Sequence, residues 1–501
     1  MKARALYWTC VFSLFILCPL LGILHASPRP IVIMMTDMQL LGYRETYPSA
    51  VEPYLRAMAE KSGVPVTFHI FPHAEYPNRI KLALASGNLP DVYNTYGLYD
   101  VNFPEAIRSG IAIPLDNYLL KYGRNLLRRI PPYVWEAVKV NGKIYAIPEI
   151  LLPSPTRRGV FIRADWLKRV GANTPVTVED YLQVLRLFRD KDPNGNGAKD
   201  EIPYIGRENL TWMECFFGAY GVLPNGWHYI NGRFVPDIVR KEFIQALGTV
   251  RQLYLEGLLD QEFPVNTGAM WEAKILSGKV GMWEHIGSRL PMWQREIEKR
   301  NPGAKVIVIP APLGPKGHRG TGKYAPYLRV WFVTRAAKDP AAVVRFFDWL
   351  ITEEGQRLVK YGLPGITYHL KAGEKIDWDP AQDPDHAWRS ILLAMVNDGK
   401  MDWEYELRKD PVNGPRMREV YEILAKEGID NPGYDFEVPK TLLDRPELKP
   451  PTGVFFLEHI LRIILGKEPL SSYEDFIREW LRRGGESAIA EATIWYKNKY
   501  K

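Results

Sequence analysis

Apolar residues recur along this chain in two rhythms. Short runs, continuous or alternating and bounded by Gly, Pro or Asn, predict strands at 31–35, 64–71, 89–93, 159–162, 202–205, 306–309 and 327–334. In 64–71, Val64, Val66, Phe68 and Ile70 share one face. Between these runs a 3.6-residue rhythm predicts helices at 49–62, 76–86, 164–170, 243–255, 270–277, 340–351 and 352–359. Thr177 with Asp180 resembles a capping box and starts another long helix. Asn141-Gly142 is a hairpin turn within 140–148. From Ile366 the chain reads as mostly helical, at 388–396, 416–425, 455–465 and 473–496. Strands alternating with helices indicate open α/β sheets, and the loops after such strands line a ligand crevice. Residues 310–322, rich in Pro and Gly, read as a crossing between lobes.

Composition narrows this picture. At 501 residues the chain should hold more than one core. Its 46% hydrophobic and 25% charged content is that of a globular protein. A net charge of +7 over this length is too weak for a nucleic-acid partner. The 15 Trp and 27 Tyr exceed what packing usually demands, and these side chains suit a surface that is at once apolar and hydrogen-bonding. Residues 1–27 read as an export signal, with basic Lys2 and Arg4 before an apolar stretch. An uncleaved anchor and a lipid-bearing Cys18 are the alternatives. Cys10 and Cys18 lie in this segment, so the exported chain keeps Cys215 alone, a core residue without a disulfide.

The sharpest chemical signal is 192–201. Asp192, Asn194 and Asn196 alternate ahead of Gly197, the opening of an EF-hand-type calcium loop. A hard cation wants six to eight oxygens, and a coiled loop turns alternate side chains inward. Ala198 would offer its carbonyl and Asp200 a carboxylate. Pro203 stands where the bidentate Glu belongs, so Glu201 is the replacement. A Ca2+ ion here would be structural.

Several stretches resemble one family: Leu89-Pro90-Asp91-Val92, the 142–148 hairpin, Phe161 to Leu167, Thr177 to Tyr204, 256–263, 278–282 and 361–368. The chain is similar to the family 1 extracellular solute-binding proteins of bacterial sugar ABC transporters. It most resembles their long, calcium-loop branch, which includes the alginate-oligosaccharide-binding proteins. The resemblance implies a two-lobed periplasmic-binding-protein type II (venus flytrap) α/β fold with chain crossings between lobes. Residues 28–152 with 323–365 would form one lobe, and 153–322 with 366–501 the other, bearing the calcium loop. It implies capture of an oligosaccharide by hinge closure, delivery to an ABC permease, a monomer, and residence outside the cytoplasmic membrane, tethered or free. The family's usual lipobox is missing at Cys18, where Leu17 replaces a small residue.

Sugar rings stack on aromatic faces while polar groups meet the hydroxyl rim. The aromatic candidates are Trp212 and Trp283, then Trp271, Tyr96, Tyr220, Trp331, Tyr368 and Trp403; core packing is the competing role for each. Glu149 is a candidate hydroxyl acceptor. Arg163 is either a ligand for an acidic sugar or a buried ion-pair partner. The alternatives are a secreted carbohydrate-active enzyme, which would need two spaced carboxylates, and a sugar sensor. Neither G-x-S-x-G nor H-E-x-x-H occurs, and the reading is of a non-enzyme.

Overall fold

In order along the chain, the principal strands are β1 Ile31–Thr36, β2 Val66–Phe71, β3 Val92–Thr95, β4 Ala146–Ile150, β5 Arg158–Arg163, β6 Ile202–Ile205, β7 Val280–Ile286, β8 Val306–Ile309 and β9 Tyr327–Val333. They come from a computed structural model that describes residues 29–37, 51–73, 75–95, 106–150, 156, 158–371, 375–432, 436 and 438–500. Residues 1–27, read above as an export signal, lie outside the described residues. Among the described residues no helix is long and apolar enough to cross a membrane.

The strands form two sheets. One has the order β2-β1-β3-β9-β4, the other β8-β5-β7-β6. β1 runs parallel to β2 and β3, whereas β9 lies antiparallel between β3 and β4. In the second sheet β6 parallels β7, and β5 is antiparallel to β7 and β8. Each sheet is centred in its own core. Ile33, Val92 and Trp331 meet Met58, Ile80, Phe346 and Phe347 from covering helices in the first. Val160, Ile162 and Met282 meet Leu182, Leu185, Phe188 and Phe243 in the second. Burying each such side chain stabilises the fold by roughly 1.5–3 kcal/mol.

Local chemistry sets many boundaries. Helix Tyr76–Ser86 stops at Gly87, whose φ of 72° closes it in the left-handed region. The turn at Asn141 and Gly142 has φ of 50° and 76°, as a two-residue hairpin turn requires. Helix Val178–Asp190 carries the expected capping box at Thr177 and Asp180. Cys215 is buried, as expected.

Two expectations need correction. The span 473–496 is not one helix: it breaks into Ser472–Trp480 and Glu486–Tyr500, with Gly484 at φ 149° between them. The segment following 366 does not belong wholly with the second lobe. Trp388, Ile391, Leu392, Met395 and Val396 pack in the first core, where Trp388 meets Tyr54 and Phe68 at ring distances of 6.0 and 6.2 Å.

Candidate functional site

Strand direction brings one edge of each sheet to the chain crossings. In the first sheet, β4 ends and β9 begins at the edge where β3 ends, since Val330 pairs with Thr95 and Tyr327 with Ile150. β1 and β2 end there too, followed by Asp37 and His73. In the second sheet β5 begins at Arg158 opposite Ile286, beside the ends of β6 and β8. The two edges face each other electrostatically. His73 feels Asp37 and Arg329 of the first sheet, and Arg289 from the turn after β7. Ligands of open α/β sheets bind outside such strand ends.

On the first wall, Arg329 donates to Glu149 at 2.7 Å, across a β9–β4 register pair. Both side chains are about nine-tenths buried. His73 donates its backbone N–H to Asp37 at 2.9 Å. Burial depresses the His73 pKa; Asp37 opposes this, while Arg329 and Arg289 add to it. Its imidazole is therefore neutral at neutral pH, a donor and an acceptor at once.

The second wall is aromatic. After β6 the chain turns sharply, with Asn209, Leu210 and Trp212 at φ of 61°, 59° and 60°. Such conformations cost about 1–3 kcal/mol each and persist where the surroundings enforce them. Here Tyr204 Oη donates to the Trp212 carbonyl at 2.8 Å. Arg158 covers the Trp212 ring at 4.6 Å. Trp271 stacks on it at 5.9 Å, and His285 meets it edge-on at 4.7 Å. Trp403 and Tyr421, 5.9 Å apart, pack half-buried against the same cluster.

Arg158 is held by Glu214, beside the fully buried Glu284. Burial pushes the Glu214 pKa up most strongly, but the Arg158 charge together with hydrogen bonds from Glu284, the backbone and Arg158 holds Glu214 low. Glu284 is pushed well up by burial and then by Glu214. It accepts from the Cys215 backbone N–H at 2.8 Å. Two carboxyls and one guanidinium are thus neutral as a group when Glu284 keeps its proton. None of Arg158, His73, Asp37, Glu214, Glu284, Arg289 or Arg329 was picked out from the sequence. The signal for His73 and Arg158 was their place immediately beside a strand end.

The sequence candidates divide by burial and place. Trp212 and Trp403 keep partly exposed rings on the aromatic wall, and Trp271, nearly buried, backs Trp212. Glu149 stands on the opposite wall. Trp283 and Trp331 have no exposed surface. Trp283 stacks on Phe161 at 5.6 Å and Trp331 packs on Phe347 at 5.8 Å, so neither has an open face for a ring. Tyr368 is buried in a separate knot with Tyr361, Trp378 and Tyr405. Tyr220 hydrogen-bonds Thr249 at 2.7 Å and joins the second core. Arg163 pairs with Asp165 at 2.6 Å and donates to the Gly278 carbonyl. Five residues beyond Arg158, at about 3.3 Å each, it occupies the far end of its strand. It is placed in the ion pair with Asp165, away from the crossing edge. Tyr96 lies outside the described residues.

The loop 192–201 precedes β6 and so sits at that far edge, where Lys279 Nζ meets Asp200 at 2.9 Å. Asp192 accepts from the backbone N–H groups of Gly195, Asn196 and Gly197. The side-chain amides of Asn194 and Asn196 donate to Asp200. Glu201 Oε1 is buried and lacks a hydrogen-bond donor. Its pKa is raised by burial, then by Asp192 and Asp200. That orphaned oxygen among like charges, with amide and carbonyl oxygens alongside, fits a hard cation. Among the described residues, no three acidic, His or Cys side chains alone make a metal cluster.

A family model described as bacterial extracellular solute-binding protein matches residues 44–357. The chain is 30% identical over 339 residues to the lipoprotein LipO of Bacillus subtilis (strain 168), covering 65% of this chain and 66% of that one. It is 24% identical over 429 residues to the polygalacturonan/rhamnogalacturonan-binding protein YtcQ of the same organism, covering 84% and 83%. The fold is shared with an EF-hand mutant of the S. pneumoniae ABC-transporter substrate-binding protein FusA, solved with fructo-nystose. The TM-score there is 0.70 at 19% identity, covering 94% of this chain and 99% of that one.

Proposed function

Because this chain belongs to the bacterial extracellular solute-binding protein family, we propose that it captures an oligosaccharide for an ABC importer. The sugar would enter between the two sheet edges, stack on Trp212 and Trp403, and offer its hydroxyls to Glu149, Arg329 and His73. Hinge bending at the crossings closes the walls around it, and the closed form docks on a membrane permease at the outer face of the cytoplasmic membrane. Binding, positioning and exclusion of water suffice, and the sugar leaves chemically unchanged. The observation that carries this reading is the pairing of an aromatic wall with a wall of compensated charges at facing strand ends. Rings and hydroxyl rims of sugars need both surfaces.

Ca2+ held by Asp192, Asn194, Asn196, the Ala198 carbonyl, Asp200 and Glu201 would neutralise the carboxylates of the far-edge loop. Its contribution is to folding stability, since the loop lies at the opposite sheet edge from the cleft.

The test is the thermal midpoint of the exported chain, with calcium, against a library of neutral and acidic oligosaccharides. A ligand at a hundredfold excess over its Kd stabilises the folded state by about 2.7 kcal/mol. A rise of a few degrees with the sugar recovered intact by mass spectrometry is the expected result. Shortened products would replace capture with catalysis, and no rise with any sugar would remove the carbohydrate reading.

A further inference from the structure

We propose that the cleft takes a neutral oligosaccharide, one with hydroxyls and no carboxylates on its rim. This rests on the sugar-capture reading and adds the charge class. The relatives leave that class open: YtcQ is a binder of polygalacturonan and rhamnogalacturonan, while FusA was solved with fructo-nystose.

Among the described residues, the arginines of the cleft are already held. Arg329 is engaged by Glu149 at 2.7 Å, with both side chains nearly buried. Arg158 is engaged by Glu214, whose side chain is 12% exposed. Arg207, on the loop leading to Trp212, is engaged by Glu208 at 2.6 Å. Arg289 is not free either. Burial keeps the His73 imidazole neutral at neutral pH. Among the described residues, the +7 of the whole chain is therefore not focused at these strand ends.

A uronate carboxylate entering this cleft would meet Glu149, Glu214 and Asp37 as like charges. To win a guanidinium it would have to displace one of them. A buried carboxylate stripped of its partner is left uncompensated, a penalty greater than a new pair of the same kind returns. A hydroxyl faces no such exchange. It donates to a carboxylate and accepts from a guanidinium without breaking the pair, and a compensated pair offers both functions side by side.

The experiment compares raffinose, stachyose and kestose with oligogalacturonates of matched length, alongside a printed glycan array covering both charge classes. It uses the calcium-loaded exported chain at low salt. Neutral sugars should bind, and uronates should bind about tenfold or more weakly. Glu149→Gln removes the carboxylate that engages Arg329. It should gain uronate binding by about tenfold while neutral binding weakens. Glu149→Asp keeps the charge pair and should keep the neutral preference. Should Glu149→Gln fail to fold by circular dichroism, Glu214→Gln combined with Glu284→Gln makes the same exchange at Arg158, leaving neither carboxyl to take the guanidinium. Uronates binding as tightly as neutral sugars in the unaltered chain would overturn the charge class and leave sugar capture standing. A folded Glu149→Gln chain, or a folded Glu214→Gln, Glu284→Gln chain in its place, that rejects uronates as before would also overturn it. Binding of neither class across the array would fell the sugar-capture reading itself.

Discussion

Glu284 has no exposed surface and shares its site with Glu214, Arg158, Cys215 and Tyr204. Its folded pKa stands above the ordinary carboxylate value of the unfolded chain, so between the two values unfolding releases a proton. Stability must fall as pH rises through that window. Glu427, pushed by burial to about 7, adds a loss of the same sign between its usual value and neutrality. The thermal midpoint should therefore decline from mildly acidic to neutral pH, and Glu284→Gln should flatten its share of the slope. A titration of the midpoint against pH for the two chains checks this. Thr177→Ala removes a cap that accepts from the Asp180 N–H. It should cost about 1 kcal/mol in urea unfolding. The cap was readable in the sequence because its partners lie three residues apart. The burial of Trp283 and Trp331 was not. Either face of a central strand is covered by helices, and only the three-dimensional register reveals that both rings point into packed cores.

At the scale of elements, the loop 192–201 and the helix before it behave as one unit. Asp192 closes the loop through three backbone N–H groups, so Asp192→Ala should lower the midpoint in calcium and abolish its response to chelation. In the unaltered chain, EDTA should lower the midpoint by several degrees without changing the cleft's affinity for a sugar at temperatures where the protein stays folded; scanning calorimetry and titration calorimetry separate the two effects. Tight packing behind the loop is tested at Gly281. A Cβ there would stand 2.5 Å from Phe188 and 2.8 Å from Trp166. Gly281→Ala should therefore destabilise by about 1–3 kcal/mol. Strands 202–205 and 306–309 and helix 164–170 were legible to the residue, since Gly, Pro and charged residues bracket their apolar runs. Helix Leu290–Arg300 was not predicted: its buried Leu290, Trp293 and Ile297 stand among many charges that dilute the rhythm. The break at Gly484 was missed because apolar spacing continues across it.

For the whole molecule, two sheets with separate cores and facing strand ends were implied by the alternation of strands and helices, and by the family resemblance. The walls of the cleft were only half legible. Aromatic residues draw the eye in a sequence, whereas Arg158, His73 and Arg329 acquire meaning only when distant strand ends meet. Closure should appear in small-angle scattering as a smaller radius of gyration when sugar is added, with no change in mass; an unchanged radius at saturation would count against hinge bending. β9 is laid between β3 and β4 only after the chain has traversed the whole second sheet, and Thr334 then donates to the Pro90 carbonyl 244 positions earlier. Until that point emerges, β3 and β4 are unpaired edges inside an unfinished sheet. At about 5–20 residues per second of synthesis, this open interval lasts roughly ten to fifty seconds. A growing chain thus stays prone to edge-to-edge aggregation until its last central strand arrives.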